Sequence, residues 1–268
     1  MATAGSSLRA RPAAVSGLFY PDDPRELEDA VRTLLLNDNE PRPAPKALIA
    51  PHAGYAYSGP TAAAAFRLLK AAASEIRRVV LIGPSHRVPF RGVALPSVDA
   101  FDTPLGRIPI DAKARHDLLE LTTVRLTDSP HSQEHSLEVE LPFLQTMLED
   151  FELVPIAAGD ATAMEVAEVL DCVWGGPETL VVVSSDLSHY HGYEQARAID
   201  RATNEAVLAY STQIDGEQAC GCIGLNGLLT TARQRRMRIQ LEDLRNSGDT
   251  AGDRQRVVGY GAWSLYDA

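Results

Sequence analysis

The chain has 268 residues, of which 45% are hydrophobic and 23% charged, with a formal net charge of −11 and a pI near 5.1. This is the composition of a soluble globular protein with one large α/β domain or two small ones. An acidic chain lacks the basic footprint that nucleic acid or an anionic membrane requires.

No apolar run approaches the ~18 residues of a membrane helix. Three cysteines, an odd and sparse set, do not make a disulfide framework and point to a reducing cytoplasm. Residues 1–13 are small and polar, lack the apolar core of a signal peptide and read as a disordered lead-in to one domain over 14–268.

Residues 15–23 form a loop that inserts aromatics. Pro24 and the acidic residues around it start a helix whose apolar positions, Leu27, Ala30, Val31, Leu34 and Leu35, step by three and four. Residues 37–45 are a linker loop. Ala47–Ala50 is a strand that Pro51 stops, because proline donates no ladder hydrogen bond. A helical pattern begins near Pro60 and runs over Thr61–Ala73.

Strands follow at 78–82, 93–95 and 107–110, the last two joined by a loop holding Phe101 and Pro104. Residues 111–121 are a helix and 123–126 a strand. Residues 128–135 are a polar loop. The helix over 136–148 is either kinked by Pro142 or truly starts there. Residues 152–157 are a strand and 161–174 a helix with Cys172 on its core side. The β-branched run 179–183 suits a central strand buried on both faces. Helices at 193–210 and 221–231 precede two closing strands, 238–244 and 257–265, of antiparallel type. The basic run Arg233–Arg238 is a solvated helix end. Strands alternating with helices predict one α/β sandwich on a mostly parallel sheet.

The functional signal is a repeated grammar of strand end and histidine: Ala47–Ala50, then Pro51-His52; Val79–Ile82, then Gly83-Pro84-Ser85-His86; Leu180–Val183, then Ser184-Ser185-Asp186-Leu187-Ser188-His189. Open α/β sheets bind ligands outside the carboxyl ends of their strands, and neutral imidazole is a common ligand for Zn, Fe and Cu. Spacing alone names no metal class: HExxH and paired CxxC ligand signatures are missing.

Gly54 and Gly59 could cradle an anion, but neither phosphate-loop signature is present. They serve better to bend the loop and set His52 in a pocket with Tyr55 or Tyr57 on its wall. His131 and His135 share the polar loop with Glu134, and His116 is a surface residue. Ser184, Asp186 and His189 are triad types without Gly-x-Ser-x-Gly. Asp186 and His189 instead read as an orienting carboxylate and a general base. Cys220-Gly221-Cys222 is open between a metal-ligand site, a redox pair and packed thiols.

Pro51-His-Ala-Gly-Tyr, Gly83-Pro-Ser-His, Glu134-His-Ser-Leu-Glu, Ser184-Ser-Asp-Leu-Ser-His and Cys220-Gly, in this order over Ala14–Tyr266, resemble the motifs of the Memo family (mediator of ErbB2-driven cell motility) and its prokaryotic relatives, the AmmeMemoRadiSam system protein B type. The resemblance implies the fold of the class III extradiol dioxygenase catalytic subunit, a single α/β domain. It implies His52, His86 and Cys220 as metal ligands, with Fe(II) or Cu(I) favoured and Zn possible. His189 matches the acid/base histidine, with Asp186 beside it, and Glu134 and His135 lie near the site.

One departure is that relatives continue Cys-Gly-x-x-Pro and this chain does not, which leaves Cys222 as a substitute for Cys220 in the pocket. The function implied is a metal-dependent oxidoreductase of dioxygenase type on an unknown small substrate. The alternatives are a non-catalytic module that binds a peptide or protein partner, or a metal-sequestering protein. The partners implied for such relatives are radical-SAM and AMMECR-type proteins.

Overall fold

The computed structural model describes residues 8–36 and 42–268. Its elements in chain order are β1 (Ala10–Arg11), α1 (Pro24–Leu35), β2 (Ala47–Ala50), α2 (Tyr55–Phe66), β3 (Arg78–Pro84), β4 (Val93–Leu95), β5 (Ala100–Thr103), β6 (Gly106–Pro109), α3 (Ala112–Leu118) and β7 (Val124–Leu126). Then come α4 (Ser129–Ser132), α5 (Leu141–Met147), β8 (Glu152–Ala158), α6 (Ala163–Val173), β9 (Thr179–Ser184), β10 (His189–His191), α7 (Tyr193–Leu208), α8 (Cys222–Gln234), β11 (Arg238–Asn246) and β12 (Val257–Tyr266).

One large sheet runs β10-β12-β2-β9-β3-β8-β4-β7, with β11 on β12. Its middle, β2-β9-β3-β8, is parallel. Antiparallel pairings join β12 to β2, β10 and β11, and β4 to β8. The sheet is therefore mixed, with the parallel block at its centre. A small second sheet, β1-β5-β6, stands apart.

Alternation along the central strands sorts the core into two layers. Ile49, Val80, Ile82, Val181 and Val183 face α6 and α8. Leu48, Leu81, Leu180 and Val182 face α1, α2 and α5. Both faces are covered by helices, so these strands read as continuous apolar runs. The first layer is tight: a Cβ on Gly227 of α8 would come 2.2 Å from Val166 of α6. A capping box between Thr162 and Glu165 starts α6, a feature worth about 1 kcal/mol.

Several expectations are corrected. Of the lead-in over 1–13, residues 1–7 lie outside the described residues. The rest is ordered: Ala10–Arg11 pairs with Ala100–Phe101, and buried Arg11 meets Glu138 at 2.7 Å. A buried guanidinium with a carboxylate partner fixes the chain there. Of the linker over 37–45, residues 37–41 lie outside the described residues.

Helix α2 starts at Tyr55 rather than near Pro60, with Gly54 as its N-cap; the proline gives up one intrahelical bond. Phe101 belongs to strand β5 rather than a loop, and it is buried. Cys172 is exposed: the buried positions of α6 are Val166, Ala167, Val169, Leu170 and Val173, and residue 172 turns away from that stripe. Pro142 stands in the first turn of α5, the second of its two expected places.

Candidate metal centre

β2, β9 and β3 are parallel neighbours, so their carboxyl ends lie together. Ala50 pairs with Ser184 and Ile82 with Val183. His52 and His86, each just past its strand, therefore flank the end of β9. The third residue comes from far along the chain. Gly221 presses on β9, where an added Cβ would sit 2.6 Å from Ser184 O. Only glycine permits that approach, and it brings Cys220 beside the histidines. The Gly221 N–H donates to Ser185 Oγ at 2.9 Å. Gly224 lies in the first turn of α8.

The ligating atoms of His52, His86 and Cys220 lie within 4.8 Å of one another. Cys220 Sγ is 3.4 Å from His52 Nε2. Bonds of ~2.0 Å to nitrogen and ~2.3 Å to sulfur on one tetrahedral ion give about 3.5 Å between such atoms, so the donor set fits a metal. Both rings are held at the other nitrogen. His52 Nδ1 is 2.7 Å from Ser184 Oγ, and His86 Nδ1 is 2.8 Å from Glu134 Oε1. Outer partners of this kind fix the ring and leave Nε2 free for a metal. His52 is buried at 1% exposure, whereas His86 is exposed, so the cluster opens on the His86 side.

The backbone is held as firmly. His52 N–H donates to Asp186 Oδ1 at 2.8 Å, and Cys220 N–H donates to Asp186 O at 3.2 Å. Asp186 thus ties the His52 and Cys220 loops together. Its expected pairing with His189 is not formed among the described residues. Leu187 N–H donates to Gly259 O, and Gly259 N–H to Ser188 O, so the chain moves onto β12 between the two. His189 follows on β10, and Tyr190 beside it adopts a left-handed φ of 62°, rare for a bulky residue and costly in energy. Burial, then the His86 charge, lowers the pKa of His189.

Glu134 gathers the other side. It accepts the backbone N–H of His86 at 2.6 Å, of His135 at 2.9 Å and of Ser136 at 3.0 Å. Burial alone would raise its pKa, but the His86 contacts and these N–H groups prevail and hold it at about 2. The His135 ring stacks on His86 with centroids 4.7 Å apart, stands edge-on to His52 at 5.3 Å, and carries Phe19 on another side at 4.7 Å. Burial lowers His135 to about 4 and His52 well below the ordinary value. Both are neutral at pH 7, the form that binds metals. Burial raises the Cys220 thiol and moves Asp186 up to about 7.

Tyr55 leaves the expected pocket wall. It is buried, its hydroxyl donates to Val139 O at 2.8 Å, and its ring packs on Phe143. Tyr57 is 42% exposed. Cys222 packs against the apolar core and is not in the cluster. His131 parts from His135: it is buried, with Nε2 3.0 Å from Ala94 O. Two residues escaped the sequence argument, Ser184 as partner of His52 and Glu140 behind it. Glu134, Glu138 and Glu140, four and then two residues apart, fall among the buried Leu137, Val139 and Leu141, a pattern of inward carboxylates that could have been noticed.

A cavity of about 250 Å³ adjoins Cys220, lined by Val88, Pro89, Phe90, Ala158 and Ile223 among others. A larger one of about 630 Å³ lies around Arg77 and Glu152, at the starts of β3 and β8 and so at the opposite end of the sheet from the histidines.

Fold and cluster define an α/β protein with a His-His-Cys donor set at the carboxyl ends of parallel strands. The chain belongs to the Memo family: the model of the Memo-like proteins matches residues 11–264. It is 33% identical to a MEMO1 family protein of Aquifex aeolicus over 94% of this chain and 98% of that one. It is 35% identical to another from Archaeoglobus fulgidus over 92% and 95%. The fold also matches the crystal structure of an uncharacterised Escherichia coli K12 protein, with TM-score 0.53 and 14% identity over 81% of this chain and 98% of that chain. Among the described residues no helix is long and apolar enough to cross a membrane.

Proposed function

We propose that His52, His86 and Cys220 hold one first-row transition metal, Fe(II) or Cu(I) in preference to Zn(II), in a metal-dependent oxidoreductase of dioxygenase type acting on a small substrate. The observation that carries this is the convergence of the three ligand atoms within 4.8 Å, with both rings anchored at Nδ1. Two imidazoles and one thiolate form a soft set with room for a further ligand. When bound, the ion would supply Lewis acidity and redox chemistry at that open position.

The protein's own groups do the rest. The Cys220 thiol, raised by burial, gives up its proton as it becomes a ligand. His189 is neutral at pH 7 and takes or returns a substrate proton. His135 and Phe19 wall one side, and the 250 Å³ cavity beside Cys220 receives the apolar part of the substrate.

The test is element analysis of protein purified without oxygen. Wild type is expected to carry about one Fe or Cu per chain, with His52→Ala, His86→Ala and Cys220→Ala near zero. Equal, trace metal in all four would sink the proposal. Full metal with no oxygen consumption across a panel of catechols would favour sequestration over turnover.

A further inference from the structure

Glu140 lies behind the His52 side of the cluster at 0% exposure. Among the described residues it makes no ion pair and accepts no backbone N–H. Among the described residues the only hydrogen-bond partner of its side chain is Ser184 Oγ, 2.9 Å from Oε1, and Oε2 has none. An ionised carboxylate with one oxygen wholly unpaired in an apolar interior is costly, and neutralises instead.

Counting protons at Ser184 leads to the same result. Its Oγ has three neighbours: Ser136 O at 2.6 Å, His52 Nδ1 at 2.7 Å and Glu140 Oε1 at 2.9 Å. The hydroxyl has one proton to give and two lone pairs to offer. A carbonyl can only accept, so the proton goes to Ser136 O, the nearest neighbour. The other two must then donate. His52 does so if Nδ1 carries its hydrogen, the tautomer that leaves Nε2 toward Cys220 Sγ. Glu140 does so only as a carboxylic acid.

We infer that Glu140 is a protonated carboxylic acid that donates to Ser184 Oγ and thereby fixes the His52 tautomer, as a positioning residue for the first ligand. Burial acts in the same direction, raising its pKa well above the ordinary value, with the Ser184 contact opposing and the charge of Asp186 adding to it. The effect on metal binding rests on the function proposed above; the protonation state does not. The two histidine ligands then differ: His86 leans on an ionised carboxylate, and His52 on a neutral chain of hydroxyl and acid.

The experiment is infrared difference spectroscopy on metal-free protein at pH 7, wild type against Glu140→Gln. The expected result is a carboxylic-acid carbonyl band that shifts in heavy water and is missing from the variant. The Asp186→Asn difference spectrum assigns the other buried acid separately. Loss of carboxylate bands alone in Glu140→Gln would overturn the assignment. Metal titration adds the second arm. Glu140→Gln, whose amide still donates to Ser184, should bind within about twofold of wild type. Glu140→Leu should bind about tenfold more weakly, at the low end for loss of an outer partner. Unchanged affinity in Glu140→Leu would refute the positioning role. A wild type that binds no metal would remove the metal reading and leave the infrared result to decide Glu140.

Discussion

His52 and His86 stand on either side of β9 and offer the same ring nitrogen to the same point, yet they are supported by opposite chemistry. On the His86 side one carboxylate does everything. Glu134 holds the ring at Nδ1 and the backbone N–H of the same residue. It keeps its charge because three backbone N–H groups and an imidazole surround it. On the His52 side the two tasks are divided. Ser184 holds the ring and Asp186 the backbone, and burial drives Asp186 toward its neutral form. The difference follows from the donors each side supplies. Glu134 is itself buried and stays ionised because three backbone N–H groups and the His86 ring reach it. His52 is buried, where each extra charge would need a counter-charge. The cluster therefore has a charged side that opens on His86 and a neutral, buried side at His52.

The comparison breaks most readily at Glu134. Glu134→Gln keeps the shape and removes the charge, and it should weaken metal binding by about 100-fold, the upper end for loss of an outer partner, in a competition titration with a chelator. Ser184→Ala strikes the other side and should cost about tenfold in affinity. It should also cost about 1–3 kcal/mol in unfolding free energy from the acceptors and donors left unpaired, read by denaturant melts. If the two substitutions cost the same in affinity, the asymmetry of the two sides is wrong.

The sides should also respond to pH with opposite signs in metal-free protein. Glu134 is lowered from 4.5 to about 2, so its contribution to stability is present above its ordinary range and is lost as pH falls through about 2. Asp186 is raised from 3.8 to about 7, so its contribution is present at low pH and is lost as pH rises toward about 7. Relative to Asp186→Asn, wild type should lose stability between pH ~4 and ~7. Relative to Glu134→Gln, it should gain stability between pH ~2 and ~5. Parallel curves in either pair would contradict the assignment. The smallest effect is expected at Cys222, which packs with the core: Cys222→Ser should leave metal content unchanged, whereas Cys220→Ser should not.

The residues that can be read from the sequence are those whose chemistry is local. β2, β3 and β9 announce themselves as apolar runs cut off by Pro51, by Gly83-Pro84 and by Ser184-Ser185. The histidine after each cut marks the binding end of an open sheet. Cys220 was accessible only through its motif, because one CxC pair says nothing about which thiol turns inward. Close packing decides that: Gly221 admits the backbone of β9 within a distance no side chain would allow.

The misreadings have the same origin. Tyr55 looks like a pocket residue by type and neighbourhood in the chain. It is buried because α2 starts early, at Tyr55 itself, and its ring packs on Phe143. Asp186 and His189 look like a pair at a spacing of three, but pairing with β12 separates them.

The sequence by itself determined the layer architecture, the strands that end at the site, and the histidines to suspect. Periodicity and chain-breaking residues act over a few positions and are written in order. Tertiary structure alone decided which of the histidines, thiols and carboxylates face one another, and with what charge. A proton's place on Glu140 or Glu134 depends on how many donors the fold brings within hydrogen-bond reach and how much water it removes, and neither quantity exists until distant segments are packed together.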